Sequence, residues 1–158
     1  MKIEYLAKLQ DNPYENPSDL KNSFIIEGIT LNEIQDLEKL YNNGNPFPKV
    51  LKELLFLAGN YCYVCDYGID ETQQELQEWV REDMADNGRT ISRPFYAFDV
   101  YGGDQFLFIY LDEGENPTVY EAHPWITGSN WIKHLDNLTI KSLVDSGIER
   151  VKRGENPF

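Results

Sequence analysis

The sequence predicts an α+β fold: a central, mostly antiparallel sheet with helices packed around it. Three observations carry that expectation. Three β-type segments, Phe95–Tyr101, Gln105–Leu111 and Thr118–Ala122, follow one another with turn chemistry between them. Segments of helical periodicity lie before and after this meander. The middle segment is apolar on both sides, with Phe106, Phe108 and Tyr110 pointing one way and Leu107, Ile109 and Leu111 the other. A strand of that kind belongs in the centre of a sheet, with at least partial cover on each face.

Length and composition are consistent with this. The 158 residues suit one domain, since domains usually run about 100–150 residues. Ten Tyr, eight Phe and three Trp supply enough aromatic mass to argue against disorder. No apolar run approaches the roughly 20 residues that span a bilayer. The start, Met1-Lys2-Ile3-Glu4-Tyr5, lacks the apolar stretch of a secretory signal, so a cytoplasmic location is expected. Two cysteines fit a compartment that keeps thiols reduced.

In chain order, Ile3–Leu9 can form a short helix before Asn12-Pro13 and Asn16-Pro17 interrupt it. Phe24–Glu27 reads as an edge strand or an extended lead-in. A helix follows over about Leu31–Asn43, opened by a capping box of Thr30 and Glu33 and stopped by Asn43-Gly44. Its apolar stripe is Leu31, Ile34, Leu37, Leu40 and Tyr41. Phe47-Pro48 opens the next helix, where a proline near the first turn loses little. Val50, Leu51, Leu54, Leu55, Leu57 and Ala58 cover much of its circumference, so it should be largely buried.

Tyr61–Asp66 reads as a strand from its aromatic and β-branched content. Asp70 and Gln73 resemble a further helix start. That helix should place Leu76, Trp79, Val80 and Met84 inward, with Glu71, Glu75, Glu78 and Glu82 facing solvent. Within the meander, Gly102-Gly103 suits a tight two-residue hairpin, because both glycines take positive φ without steric cost. Asp112–Asn116 forms the second turn. Pro124–Asn130 is a loop carrying Trp125, and a last helix covers about Thr139–Lys152.

Charge is the most informative compositional fact. The net formal charge is −13, and residues 66–121 hold 14 acids against Arg81, Arg89 and Arg93, a balance of −11. Phosphate-bearing partners, whether nucleic acid or an anionic membrane surface, are therefore disfavoured, and a basic protein partner is favoured.

Motifs for chemistry are weak by contrast. Cys62 and Cys65 spell C-x-x-C, but on a strand residues three apart face opposite ways, and no second pair or suitably spaced histidine completes a metal site. They read as structural thiols. His123 and His134 sit in no nucleophile motif. Carboxylate pairs are numerous enough among 27 acids to arise by chance. No catalytic residue, metal or cofactor is expected. Trp125 and Trp131 suit either exposed anchors or, by roughly two to one, plugs at the open end of the sheet.

A resemblance sharpens the reading. Ile29-Thr30-Leu31-Asn32-Glu33-Ile34 is followed by Phe47-Pro48, Leu51, Leu55 and Ala58-Gly59, then by Gly102-Gly103-Asp104-Gln105-Phe106-Leu107 and Asn116-Pro117-Thr118-Val119-Tyr120. This order resembles the SUKH superfamily, the domain of Smi–Knr cell-wall regulators and of many bacterial immunity proteins, over about residues 27–150. The resemblance implies a binding scaffold around an antiparallel sheet, with no shared catalytic residues. The acidic helix around Asp70–Asp86 reads as an elaboration on it. The expected function is that of an immunity protein neutralising a basic toxin domain, with a regulatory or scaffold role as the alternative and a small-molecule-binding domain or hydrolase behind it. The expected contact residues are Glu71, Glu75, Glu78, Glu82, Asp104, Asp112, Glu113 and Glu115, with Trp125 as an aromatic anchor.

Overall fold

A computed structural model describes residues 1–69 and 71–158; Asp70, named above at a helix start, lies outside the described residues. Among them the chain forms five helices and one four-stranded antiparallel sheet, an α+β fold as expected. The order is α1 (Ala7–Asp11), α2 (Leu31–Tyr41), α3 (Lys49–Ala58), α4 (Gln73–Asp86), β1 (Phe95–Asp99), β2 (Phe106–Tyr110), β3 (Thr118–Ala122), β4 (Ile132–Thr139) and α5 (Ile140–Lys152). The strands lie side by side in chain order, β1-β2-β3-β4.

The two-sided character of β2 organises the molecule. Leu107, Ile109 and Leu111 face a cluster built with Tyr96, Phe98 and Val119 and with residues of α1, α2, α3 and α5. Phe106 and Phe108 face a second cluster with Phe95, Ala97 and Ala122, closed by Leu76, Val80 and Met84 of α4. Each sheet face thus has its own core, and β2 contributes to both.

Local rules explain most of the helix ends. Three helices begin with reciprocal capping boxes: Thr30 with Glu33, Thr72 with Glu75, and Thr139 with Ser142. The cap of α4 is Thr72. Helix α3 starts at Pro48, which has no capping side chain. Glu115 substitutes for one: its Oε2 accepts the Lys49 N–H (2.7 Å) and its carbonyl the Val50 N–H (3.1 Å). Asn43 and Gly44 both take positive φ after α2, as expected.

Tertiary contacts overrule the sequence at four places. Tyr61–Asp66 is not a strand. Only Tyr61 pairs, in an isolated bridge to Glu27, and the chain then turns so that Cys62, Tyr63, Val64 and Cys65 are all buried in the first cluster. The two cysteines consequently do not face opposite ways. The neighbouring Cys62 thiol, together with burial, pushes the Cys65 thiol well above the usual thiol range. Both are free and buried.

The β1–β2 connection is wider than a two-residue hairpin. Gly102 and Gly103 do take positive φ, but the closing bond runs from the Gly103 N–H to the Val100 carbonyl (3.0 Å), and β1 is bulged between Ala97 and Asp99. The buried Asp99 carboxylate accepts the N–H groups of Tyr101 (3.0 Å) and Asp66 (3.1 Å), tying this connection to the 62–66 turn.

Strand β4 is the third difference. Its apolar residues, Ile132, Leu135 and Leu138, fall three apart, and Asn137 has φ 63° beside a register shift opposite Thr118/Val119. The irregularity resets the two-residue alternation by which strands are recognised. Lastly, the stripe of α2 is buried only in part: Ile34 and Leu37 enter the core, whereas Leu31 and Leu40 are exposed.

Candidate functional site

Helix α4 presents the expected acids. Glu75, Glu78 and Glu82 are exposed on one stripe of the helix, opposite the buried Leu76, Val80 and Met84, and Glu71, just ahead of the Thr72 cap, is exposed as well. Glu75 also closes the capping box, and Glu78 accepts a hydrogen bond from Gln74 (2.7 Å). Among the described residues, none of the four is within ion-pair distance of a cation.

The helix is held rigidly. Gln77 is fully buried and makes two bonds to β1, with Nε2 donating to the Ala97 carbonyl (2.7 Å) and Oε1 accepting the Ala97 N–H (3.0 Å). Gln73 donates to the Gly59 carbonyl (2.8 Å) and accepts from the Tyr96 hydroxyl (3.0 Å). Arg81 lies over the rings of Tyr41 (4.5 Å) and Phe95 (4.3 Å), so α4 is clamped to α2 and β1 together.

The remaining expected acids divide. Asp104, in the β1–β2 connection, sits close enough to α4 that it and Asp86 help hold the Asp83 carboxyl above its usual range, behind burial as the larger cause. Trp125 joins this end of the helix: its indole N–H donates to the Asp104 carbonyl (2.9 Å), and its side chain is 59% exposed. The plug expected of both tryptophans is thus filled by Trp131 alone, which packs against the second core and under Arg89 (5.5 Å).

The β2–β3 loop acids have other employment. Asp112 and Glu113 bind Arg93, whose guanidinium lies 3.8 Å over the Tyr110 ring, and Glu113 also accepts from the Tyr120 hydroxyl (3.2 Å). Glu115 caps α3 as described. Each of the three thus has a partner within the fold, although Asp112 and Glu115 remain exposed.

His123 contacts Glu121 (3.2 Å) and His134 contacts Asp136 (2.8 Å), two separate pairs. Among the described residues no group of three His, Cys, Asp or Glu side chains is placed to hold a metal ion. Among the described residues no helix is long and apolar enough to cross a membrane.

A feature the sequence reading missed lies at the other end of α4. A groove of about 260 Å³ runs between α2 and the start of α4, with Ile29, Leu37 and Leu40 as apolar lining and Glu33, Asp36 and Glu71 as its acids. The signal for it was the width of the α2 stripe, which is broader than one core contact requires.

The family model for the SMI1/KNR4 family (SUKH-1) matches residues 28–140. The chain belongs to that family. The matched span runs from Gly28, through the α2–α3 pair and all four strands, to the first residue of α5. Gly28 is fixed sterically: the Phe56 carbonyl oxygen of α3 lies well inside contact distance of any Cβ placed there. No curated protein and no solved structure matches this SUKH-1 chain.

Proposed function

We propose that this SUKH-1 domain is a protein-binding module acting as an immunity protein, which neutralises a basic toxin domain, such as a nuclease, by direct contact. The observation that carries the reading is the exposed stripe Glu75, Glu78 and Glu82 on a rigid helix, with Glu71 just ahead of it, none of them paired with a cation among the described residues. Asp104 and the exposed Trp125 extend it at one end. A helix of 14 residues is about 21 Å long, enough to sit within a standard interface of roughly 1,600 Å² in total. Such a face raises association rates by about 10–10³ and loses the advantage in salt.

The test is binding to toxin domains encoded beside this gene, measured across a salt series. Tight binding that weakens with salt supports the reading. A neighbourhood without toxin genes, together with capture of a cell-wall-synthesis component, favours the regulatory alternative instead. Binding that ignores salt rejects the acidic face.

A further inference from the structure

The groove between α2 and α4 stands out for what covers it and what lines it. Amphipathic helices of globular proteins bury their apolar stripe, yet Leu40 of α2 is 57% exposed on this groove and Leu31, on the same helix, is also open. Three carboxylates, Glu33, Asp36 and Glu71, border the apolar patch, and among the described residues no lysine or arginine lines it. Glu33 uses Oε2 in its cap to Thr30, and Lys39 contacts Oδ1 of Asp36 (2.7 Å), so among the described residues Oε1 of Glu33 and Oδ2 of Asp36 accept no hydrogen bond. The walls are firm, because Gln73 fixes the Gly59 carbonyl and Arg81 clamps α4 to Tyr41 of α2.

The size is also telling. At about 260 Å³ the groove lies below the roughly 300–1,000 Å³ of pockets that enclose a whole small molecule. It suits one or two side chains of a larger partner, which is how hot-spot anchors seat.

We propose that this groove is the anchoring subsite for a basic segment of the partner, taking an apolar side chain against Leu37, Leu40 and Ile29 while neighbouring arginines meet Glu33, Asp36 and Glu71. The inference rests on the basic-partner reading and locates where the partner is gripped. The α4 stripe attracts at long range; the groove supplies the short-range apolar contact that electrostatics does not. Arginine is the better cation, since its planar fork reaches carboxylates bidentately while its stem lies on leucine.

The experiment uses the ¹⁵N-labelled full chain titrated with the acetylated peptide amide Arg-Leu-Arg-Leu-Arg, at low and at physiological salt. The expected result is saturable shifts of the Ile29, Leu37, Leu40 and Asn60 amides. A peptide with Ser in place of Leu should bind at least tenfold more weakly. Leu40→Asn should weaken the original peptide at least fivefold with an unchanged circular dichroism spectrum, because Leu40 is already exposed. Shifts spread evenly over all acidic surfaces, equal for both peptides, overturn the groove. So does the absence of saturable shifts, or binding unchanged in Leu40→Asn. The two readings separate in the toxin-domain assay: if E78K/E82K abolishes binding while Leu40→Asn does not, the groove fails and the basic-partner reading stands.

Discussion

Gln77 gives the edge strand β1, at Ala97, the pair of hydrogen bonds that a further strand would have given. Its amide donates to the Ala97 carbonyl and accepts the Ala97 N–H, both inside the core. An open edge is a template for unwanted pairing, and here a helix side chain closes it. Gln77→Leu keeps the size but leaves two buried backbone groups without partners. The expected loss is about 2–4 kcal/mol, at about 1–3 kcal/mol per orphaned group, read from the urea midpoint.

Glu53 does similar work for the N-terminal segment. Its carboxylate is fully buried and accepts the N–H groups of Glu4 (2.7 Å), Tyr5 (2.8 Å) and Leu6 (2.9 Å). Glu53→Gln removes the charge and turns one acceptor into a donor facing an N–H. The expected effect is a loss of about 2–4 kcal/mol, since bonds to charged groups contribute roughly 1.5–3 kcal/mol each. Limited proteolysis should then cut ahead of α1 first.

Asp99 gives the fold a pH dependence. Burial, its largest influence, pushes the folded pKa up to about 6, against about 3.9 for an unfolded aspartate. The folded chain therefore binds the proton more tightly. The group's contribution to stability is fully present below about pH 4 and is lost as pH rises through about 6, a difference of about 2–3 kcal/mol. Urea unfolding at pH 4, 5, 6 and 7 should give a slope that flattens in Asp99→Asn. Comparing slopes avoids the confounding loss of one acceptor.

Gly28→Ala tests the close passage of the chain over α3. A methyl group there meets backbone, the Phe56 carbonyl, which has no rotamer to escape into. A loss of about 3 kcal/mol or more is expected, at the upper end for overpacking. A thermal midpoint within a degree of the parent would show that α3 can shift.

Charge reversal separates displayed acids from internal ones. Glu78→Lys with Glu82→Lys should slow association with a basic partner at least tenfold at low salt, while leaving dissociation nearly unchanged. Asp112→Lys should leave the rate within about twofold, because Asp112 is already paired with Arg93. Stopped-flow association at two salt concentrations distinguishes the pair; equal effects would place the contact elsewhere.

What was legible in the sequence was what local chemistry dictates. Thr30 with Glu33 predicts a cap because the interaction closes within four residues, and Asn43-Gly44 predicts the stop for the same reason. The alternation of β2 predicted a central strand with cover on each face, since side-chain direction along a strand follows from the backbone alone. The acidic stripe of α4 was legible by the same periodic argument. Partner choice was not. Whether an acid is displayed or neutralised depends on which cation the fold brings to it, and Arg93, 19 residues before Asp112, gave no local sign of its target.

The sequence by itself determined the fold class, the capped start of α2, the two-faced central strand and the acidic character of α4, all consequences of periodicity and short-range bonding. Only the tertiary structure decided that Cys62 and Cys65 meet in a buried turn, that Ile132–Thr139 completes the sheet despite its broken alternation, and that Leu40 stays exposed beside Glu33, Asp36 and Glu71. The physical reason is common to all three. Burial and strand pairing are settled by residues far apart in the chain, and a side chain's own neighbours in sequence carry no record of them.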